Sequence, residues 1–337
     1  MWMQFKDRLN VMTMIPNHAE EALFGAIEAG GTKFVCAVGS RPSDIRIKEQ
    51  PTENRKEFNT ADGPEIVFAN VVKWFREMEK KLGRNISAIG IASFGPVDLN
   101  ESNALSYGCI TSTPKLSWRG ANLLEPLRSE FGHALPIGLD TDVNGAALGE
   151  FTWGAAKGIE DFVYVTIGTG LGAGAMSRGR LLHGLVHPEM GHMLLPRIPG
   201  DPFPGSCTKH GACWEGLCSG TAIQSRAGKP AQDLESDDSA WIFTTRYIGY
   251  ALANLICVLS PRRIIIGGSV RKAGKLGQDR FFERIRDEVQ AALAGYVVSD
   301  SLAGGIRDYI VPAALGDDAG VCGAFELARM KLSGLAG

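Results

Sequence analysis

The chain reads as an α/β protein whose architecture is repeated. Each half opens with two apolar stretches joined by a glycine turn, each then alternates helical and strand-like patterns, and the two glycine turns fall at matching places. Strands that alternate with helices imply mixed sheets with helices packed on their faces. In such folds ligands gather at strand ends and between domains.

In the first half, Leu23–Ala29 is an apolar strand, Gly30-Gly31-Thr32-Lys33 a turn, and 34–39 a second strand. A more polar third strand is expected near 45–49. Apolar residues at Val67, Val71, Phe75, Met78 and Leu82 give 65–82 a helical period, which Gly83 closes. A strand follows at 86–92, then a Thr/Ser/Pro/Gly-rich loop at 107–118, a helix at 121–131, a strand at 136–139 and a helix from Asp142 to about Ala156. The second half repeats the order, with a strand at 161–167, a glycine turn at 168–174 and strand, turn and strand around Arg178-Gly179. A long apolar helix at 239–259, a strand at 263–266, a helix at 280–293, a strand at 309–311 and a helix at 319–331 complete it. The expected division is an extension without fixed structure at 1–22, a small domain at 23–141 and a large domain at 142–318. A helix near 319–335 is expected to pack back on the small domain.

A formal charge of −2 gives no reason to expect nucleic acid or an anionic membrane as partner. Seven scattered cysteines, an odd number, point to a reducing compartment rather than a disulfide framework. The N-terminus carries Lys6, Asp7 and Arg8 without a continuous apolar core, so it does not read as a signal peptide. No apolar run reaches the roughly eighteen residues of a membrane span. A cytoplasmic protein is expected.

The stretch 187–215 interrupts the second half as an insertion. It holds His187, His192 and His210, Cys207 and Cys213, and the acids Glu189 and Glu215. His192, Cys207, His210 and Cys213 have the count and chemistry of a closed tetrahedral zinc site. The Pro- and Gly-rich run between them cannot build much core by itself, and structural zinc can supply on the order of 10–16 kcal/mol to such a segment. The alternative is that these residues simply pack or sit solvated. Cys218, five residues on from Cys213, is expected to be a core thiol.

The turns Gly30-Gly31-Thr32-Lys33 and Gly168-Thr169-Gly170-Leu171-Gly172 each link two strands. Glycine lets backbone N–H groups approach a phosphate, and threonine adds a hydroxyl. Neither turn is a Walker loop or a dinucleotide fingerprint, because a strand follows each. Singly they read as plain hairpins; as a duplicated pair they read as a clamp for a nucleotide polyphosphate. Gly267-Gly268 ends a later strand and stands either against the adenosine or as an ordinary strand-to-helix turn. Asp142 opens a helix at a strand's C-terminal end. An N-cap role is the structural alternative, worth about 1 kcal/mol; the functional one is a general base kept ionised by the helix dipole.

The segments IEAGGTKF, GIASFGPVD, LDTDVNGAALGE, VTIGTGLGAG and HPEMGH…CTKHGACWE, in this order, resemble the ROK sugar kinases from about Phe24 onward. The resemblance implies an actin-like ATPase (ribonuclease H-like) fold, two lobes closing over ATP, Mg2+ and a sugar, and direct phosphoryl transfer. It also implies a homodimer. By position in the motifs Asp142 is the base, and Glu189, His192 and Glu215, with Thr141, contact the sugar. Zn2+ is then a structural organiser of the sugar pocket, with His192 both ligand and contact. Three departures are informative. Cys207-Thr-Lys-His210-Gly-Ala-Cys213 replaces the commoner Cys-x-Cys-Gly-x-x-Gly-Cys, and Glu28 stands where most relatives have Asp; both are similar to the fructokinase branch. Lys115 stands where glucose and N-acetylmannosamine kinases place a sugar-binding Asn, which favours fructose, although a single Lys is often only a solvated cation. Alternatives are a kinase for another hexose, a sugar-sensing repressor or a non-catalytic zinc module. A repressor would need a DNA-binding domain ahead of the first strand, and the module reading leaves Asp142 and the glycine turns unexplained.

Overall fold

The computed structural model describes residues 22–46 and 53–334. Except for its last residue, the expected N-terminal extension lies outside the described residues. Two compact units form, one running to Gly145 and taking up the chain again from Gly320, the other Ala146–Ala319.

In the first unit, β1 (Leu23–Ala29), β2 (Lys33–Gly39), β3 (Arg55–Asn59), β4 (Ile86–Ser93) and β5 (Ile137–Thr141) form one sheet in the order β3-β2-β1-β4-β5. The β3-β2-β1 pairings are antiparallel and the β1-β4-β5 pairings parallel. Helix α1 (Pro64–Leu82) buries Val67, Val71, Phe75 and Met78 of the anticipated stripe, leaves Leu82 half-buried, and adds Phe68 and Trp74 to the buried face. Helix α2 (Glu125–Phe131) starts later than expected. The Asn122 side chain accepts from the Leu124 and Glu125 N–H groups and holds 122–124 as a turn. The third strand is also displaced, to Arg55–Asn59. Ile45 is fully buried, but in a turn after a short 3-10 segment; positions 47–49 of the expected strand lie outside the described residues. The true strand is a polar edge with only Phe58 turned inward, so its hydrophobic signal is weak.

The last helix, Ala319–Leu332, lies on this first sheet at backbone contact. A methyl group on Gly90 would stand 1.8 Å from the Ala324 carbonyl oxygen, and one on Gly138 2.4 Å from that of Leu327. Glycine on two adjacent strands is what admits the helix. Phe24 meets Phe325 edge-on at 5.2 Å.

Helix α3 (Asp142–Trp153) leads into the second unit, where β6 (Phe162–Ile167), β7 (Leu171–Ser177), β8 (Arg180–Leu181), β9 (Arg263–Gly267) and β10 (Ile310–Pro312) form a sheet ordered β10-β9-β6-β7-β8. The β8-β7-β6 pairings are antiparallel and the β6-β9-β10 pairings parallel. Read from the antiparallel edge, both sheets have the same plan, as the repeated pattern anticipated. Between β8 and β9 lie helices α4 (Trp214–Cys218), α5 (Gly220–Ala227) and α6 (Ser239–Leu259); α7 (Gln278–Leu293) follows β9. By length and a mean hydropathy of 1.4, α6 is sufficient to cross a membrane, contrary to the count made from the sequence. Trp241, Tyr247, Ile248, Ala251 and Leu252 on it are nonetheless fully buried in this unit's core. Fully buried Glu150 accepts N–H bonds from Ala155, Ala314 and Leu315, pinning the end of α3 to the loop after β10.

Candidate active site

In the first unit, Ala29, Ser93 and Thr141 are partners across β1, β4 and β5. The residues that follow them, Gly30, Phe94 and Asp142, therefore leave the sheet at one edge, the carboxyl ends of the parallel strands. With neighbouring strands about 4.8 Å apart, the glycine turn and Asp142 spring from points roughly 10 Å apart. The hydroxyl of Thr141, not the Asp142 carboxylate, caps α3 by accepting from the Asn144 N–H at 3.2 Å. Asp142 is the first helical residue, and its Oδ1 accepts from the Val143 N–H. Buried Asp140 accepts from the Thr141 N–H and from Asn144 Nδ2, fixing the junction.

The first glycine turn is braced from one side. Gly30 N–H donates to the Lys33 carbonyl. Thr60 grips both arms of the turn: its N–H donates to the Thr32 carbonyl at 3.0 Å and its hydroxyl to the Gly30 carbonyl at 2.9 Å. The Trp118 indole N–H in turn donates to the Thr60 carbonyl at 2.9 Å. Lys33 opens β2 with its ammonium on Glu57 at 2.5 Å. Lys115 is half-buried, and its stem lies over the turn: a methyl group on Gly31 would stand 3.3 Å from Lys115 Cε.

In the second unit the turn is narrower than expected, because Leu171 and Gly172 already belong to β7; Gly172 pairs with Thr166. Gly168, Thr169 and Gly170 form the turn itself. Gly220 N–H donates to the Gly168 carbonyl, and the Thr221 hydroxyl to that of Thr169 at 2.8 Å. From the other side Glu215 Oε2 accepts from the Leu171 N–H at 3.1 Å, close enough that a methyl group on Gly170 would stand 3.0 Å away. Gly267 ends β9. Gly268, at φ 81°, lies against the Ile167 backbone where a Cβ would sit 2.3 Å from its carbonyl oxygen.

The insertion brings His192, Cys207, His210 and Cys213 together, with ligand atoms all within 4.8 Å of one another. His192 Nδ1 is 3.5 Å from Cys213 Sγ and 3.9 Å from Cys207 Sγ; Cys207 Sγ is 3.7 Å from His210 Nδ1. Tetrahedral zinc with ordinary Zn–N and Zn–S bonds has ligand–ligand edges of roughly 3.3–3.8 Å. The tetrad fits such an ion. Because His192 faces the thiols through Nδ1, its Nε2 lies on the opposite side of the ring. Cys213 also caps α4, accepting from the Gly216 N–H, and Glu215 sits on that helix. Cys218 is buried in the core and outside the tetrad. Glu189, exposed at its surface, has its carboxyl raised above the usual range, chiefly by the desolvation its surroundings impose; His192 opposes the shift and Glu215 adds to it.

A second brace in the insertion has no sequence signature. Asp201, whose carboxylate is fully enclosed, accepts from Arg226 Nη1 at 2.5 Å and Nη2 at 3.1 Å, from the Tyr247 hydroxyl at 2.8 Å and from the Phe203 N–H. The Arg226 guanidinium lies between the rings of Phe203 and Phe243. Burial works against the Asp201 charge, but the Arg226 and Tyr247 hydrogen bonds hold its carboxyl below the usual range. Asp201 and Arg226 are far apart in the chain, as are Thr60 and Trp118. Only a guess at loop packing would have paired them.

Two strand-linked glycine turns, an aspartate at a parallel-strand end and an insertion that gathers a Cys/His cluster and acids define a phosphotransferase-like protein. Residues 24–331 match the ROK family, and the chain belongs to it. It is 40% identical over 311 residues to a fructokinase of Pediococcus pentosaceus, covering 92% of this chain and 99% of the relative. It is 38% identical over 314 residues to a fructokinase of Zymomonas mobilis, covering 92% and 97%. Its fold is similar to that of a ROK hexokinase from Thermus thermophilus, with a TM-score of 0.70, 25% identity and coverage of 93% of this chain and 99% of that one.

Proposed function

We propose that the protein is an ATP-dependent fructokinase, forming D-fructose 6-phosphate and ADP. The observation that carries the chemistry is the shared sheet edge. Asp142 leaves β5 in register with the glycine turn after β1, and Thr141 relieves it of the capping role. In this reading Asp142 accepts the proton of the sugar hydroxyl as the oxygen attacks the γ-phosphorus and the bond to ADP breaks. The glycine turns at Gly30–Gly31–Thr32 and Gly168–Thr169–Gly170 hold phosphate, Mg2+ accompanies the nucleotide, and Glu189, His192 and Glu215 contact the sugar. The fructose assignment is supported by the names of the relatives at 38–40% identity.

Zn2+ on His192, Cys207, His210 and Cys213 would order the insertion and so aim Glu215 and the free edge of His192. It would take no part in the phosphoryl transfer. A homodimer in the cytoplasm completes the reading, supported by the family resemblance and testable by sedimentation and fractionation.

The test is ATP-dependent phosphorylation of fructose, glucose, mannose, N-acetylglucosamine and N-acetylmannosamine, with Asp142→Asn alongside. Fructose is expected to lead in kcat/KM, and Asp142→Asn to lose at least about a hundredfold in kcat while still binding sugar and ATP. Another hexose in the lead removes the fructose assignment; near-normal turnover by the variant removes Asp142 from the mechanism.

A further inference from the structure

We propose that Lys115 acts on the transferring phosphoryl group rather than on the sugar ring, an assignment that rests on the kinase reading above. Its stem lies across Gly31 of the first glycine turn, where the lack of a side chain leaves room for it. Among the described residues its ammonium makes no hydrogen bond or ion pair, although the residue is half-buried. Lys33, in the turn itself, is occupied by Glu57.

The segment that carries Lys115 is built onto the turn. Trp118, three residues on, donates to Thr60, and Thr60 grips Gly30 and Thr32. On the near side the Lys115 N–H donates to the Thr113 hydroxyl at 3.3 Å, and Arg119 Nε holds the Thr113 carbonyl at 2.8 Å. A cation fixed to a phosphate turn through its own backbone keeps its place whatever sugar is bound. An ammonium without a protein partner, on a half-buried residue, suits a multiply charged phosphoryl group, whose charge is spread over its three outer oxygens in the transition state as the bond to ADP breaks. A neutral sugar hydroxyl gives it no counter-charge. Lysine also acts as a point charge on phosphate and needs no planar geometry.

The experiment compares Lys115→Met and Lys115→Arg with the wild type in turnover of fructose and of each other hexose accepted, in calorimetric binding of fructose alone, and in inhibition by fructose 6-phosphate. Lys115→Met is expected to lower kcat by about 10²–10³-fold, as for loss of one transition-state donor. The loss should be equal for every sugar, with fructose binding within twofold, weaker inhibition by the sugar phosphate and partial rescue in Lys115→Arg. Unchanged kcat with a raised fructose KM, or a changed sugar preference, overturns the assignment and returns Lys115 to sugar recognition. A wild type inert toward every hexose overturns the kinase reading and this assignment with it; an active wild type with an unaffected Lys115→Met overturns this assignment alone.

Discussion

The two units support their candidate groups in different ways. The first presents the Gly30 turn and Asp142 directly from the ends of β1 and β5, one strand apart, where the sheet register fixes their spacing. The second carries Glu189, His192 and Glu215 on an insertion with little secondary structure, where the Cys/His tetrad clusters toward the ends and Asp201 ties the middle to Arg226 on α5. The difference teaches that a sheet fixes the separation of groups by its own register, while groups carried on a loop depend on side-chain ties for their placement.

If the fastening matters, its removal should separate the two units' properties. Chelation, or Cys213→Ser, is expected to weaken fructose binding by about 10–100-fold, the range for loss of support around a site, and to leave binding of ADP with Mg2+ within twofold. Calorimetry of both ligands decides it, and an equal loss of both would break the comparison. Arg226→Met tests the other tie. It leaves the buried Asp201 carboxylate without its charge partner and should cost roughly 3–5 kcal/mol in urea unfolding, even with metal bound. A cost near zero would mean that the metal alone holds the insertion.

A third effect belongs to the first unit and sharpens the contrast, because no metal or ligand enters it. Burial raises the Glu326 carboxyl, on the last helix, from 4.5 to about 7, with Arg329 only partly opposing. A folded value above the unfolded one favours the fold below pH ~4.5, and that contribution fades as pH rises through 7. The change amounts to roughly 3 kcal/mol. Glu326→Gln should flatten this part of the stability profile, seen by comparing urea midpoints of variant and wild type at pH 5 and pH 8. Parallel profiles would show that the carboxyl titrates normally.

Strongly periodic or glycine-marked elements were legible in the sequence: α1, both hairpins, the parallel strands and the doubled plan. The tetrad was legible too, since ligand type and spacing are local. What escaped was polar or long-range. β3 carries one inward apolar residue, so period counting found buried Ile45 instead. The start of α2 was set by an Asn122 side chain, and the cap of α3 fell to Thr141 rather than Asp142. The Thr60–Trp118 brace and the Asp201–Arg226 pair join residues whose separation leaves no local pattern. Lys115 was singled out for its identity, but its neighbour Gly31 is known only from the fold.

One feature of the fold also bears on how the chain is made. The last helix sits at backbone contact on Gly90 and Gly138, yet the whole of Ala146–Ala319 is synthesised between those strands and that helix. During translation the first sheet must wait with that face uncovered, while the intervening unit already has every segment it needs to close its own core. Completion of the fold therefore does not follow the order of synthesis: the middle of the chain can finish first, and the beginning is sealed by the end.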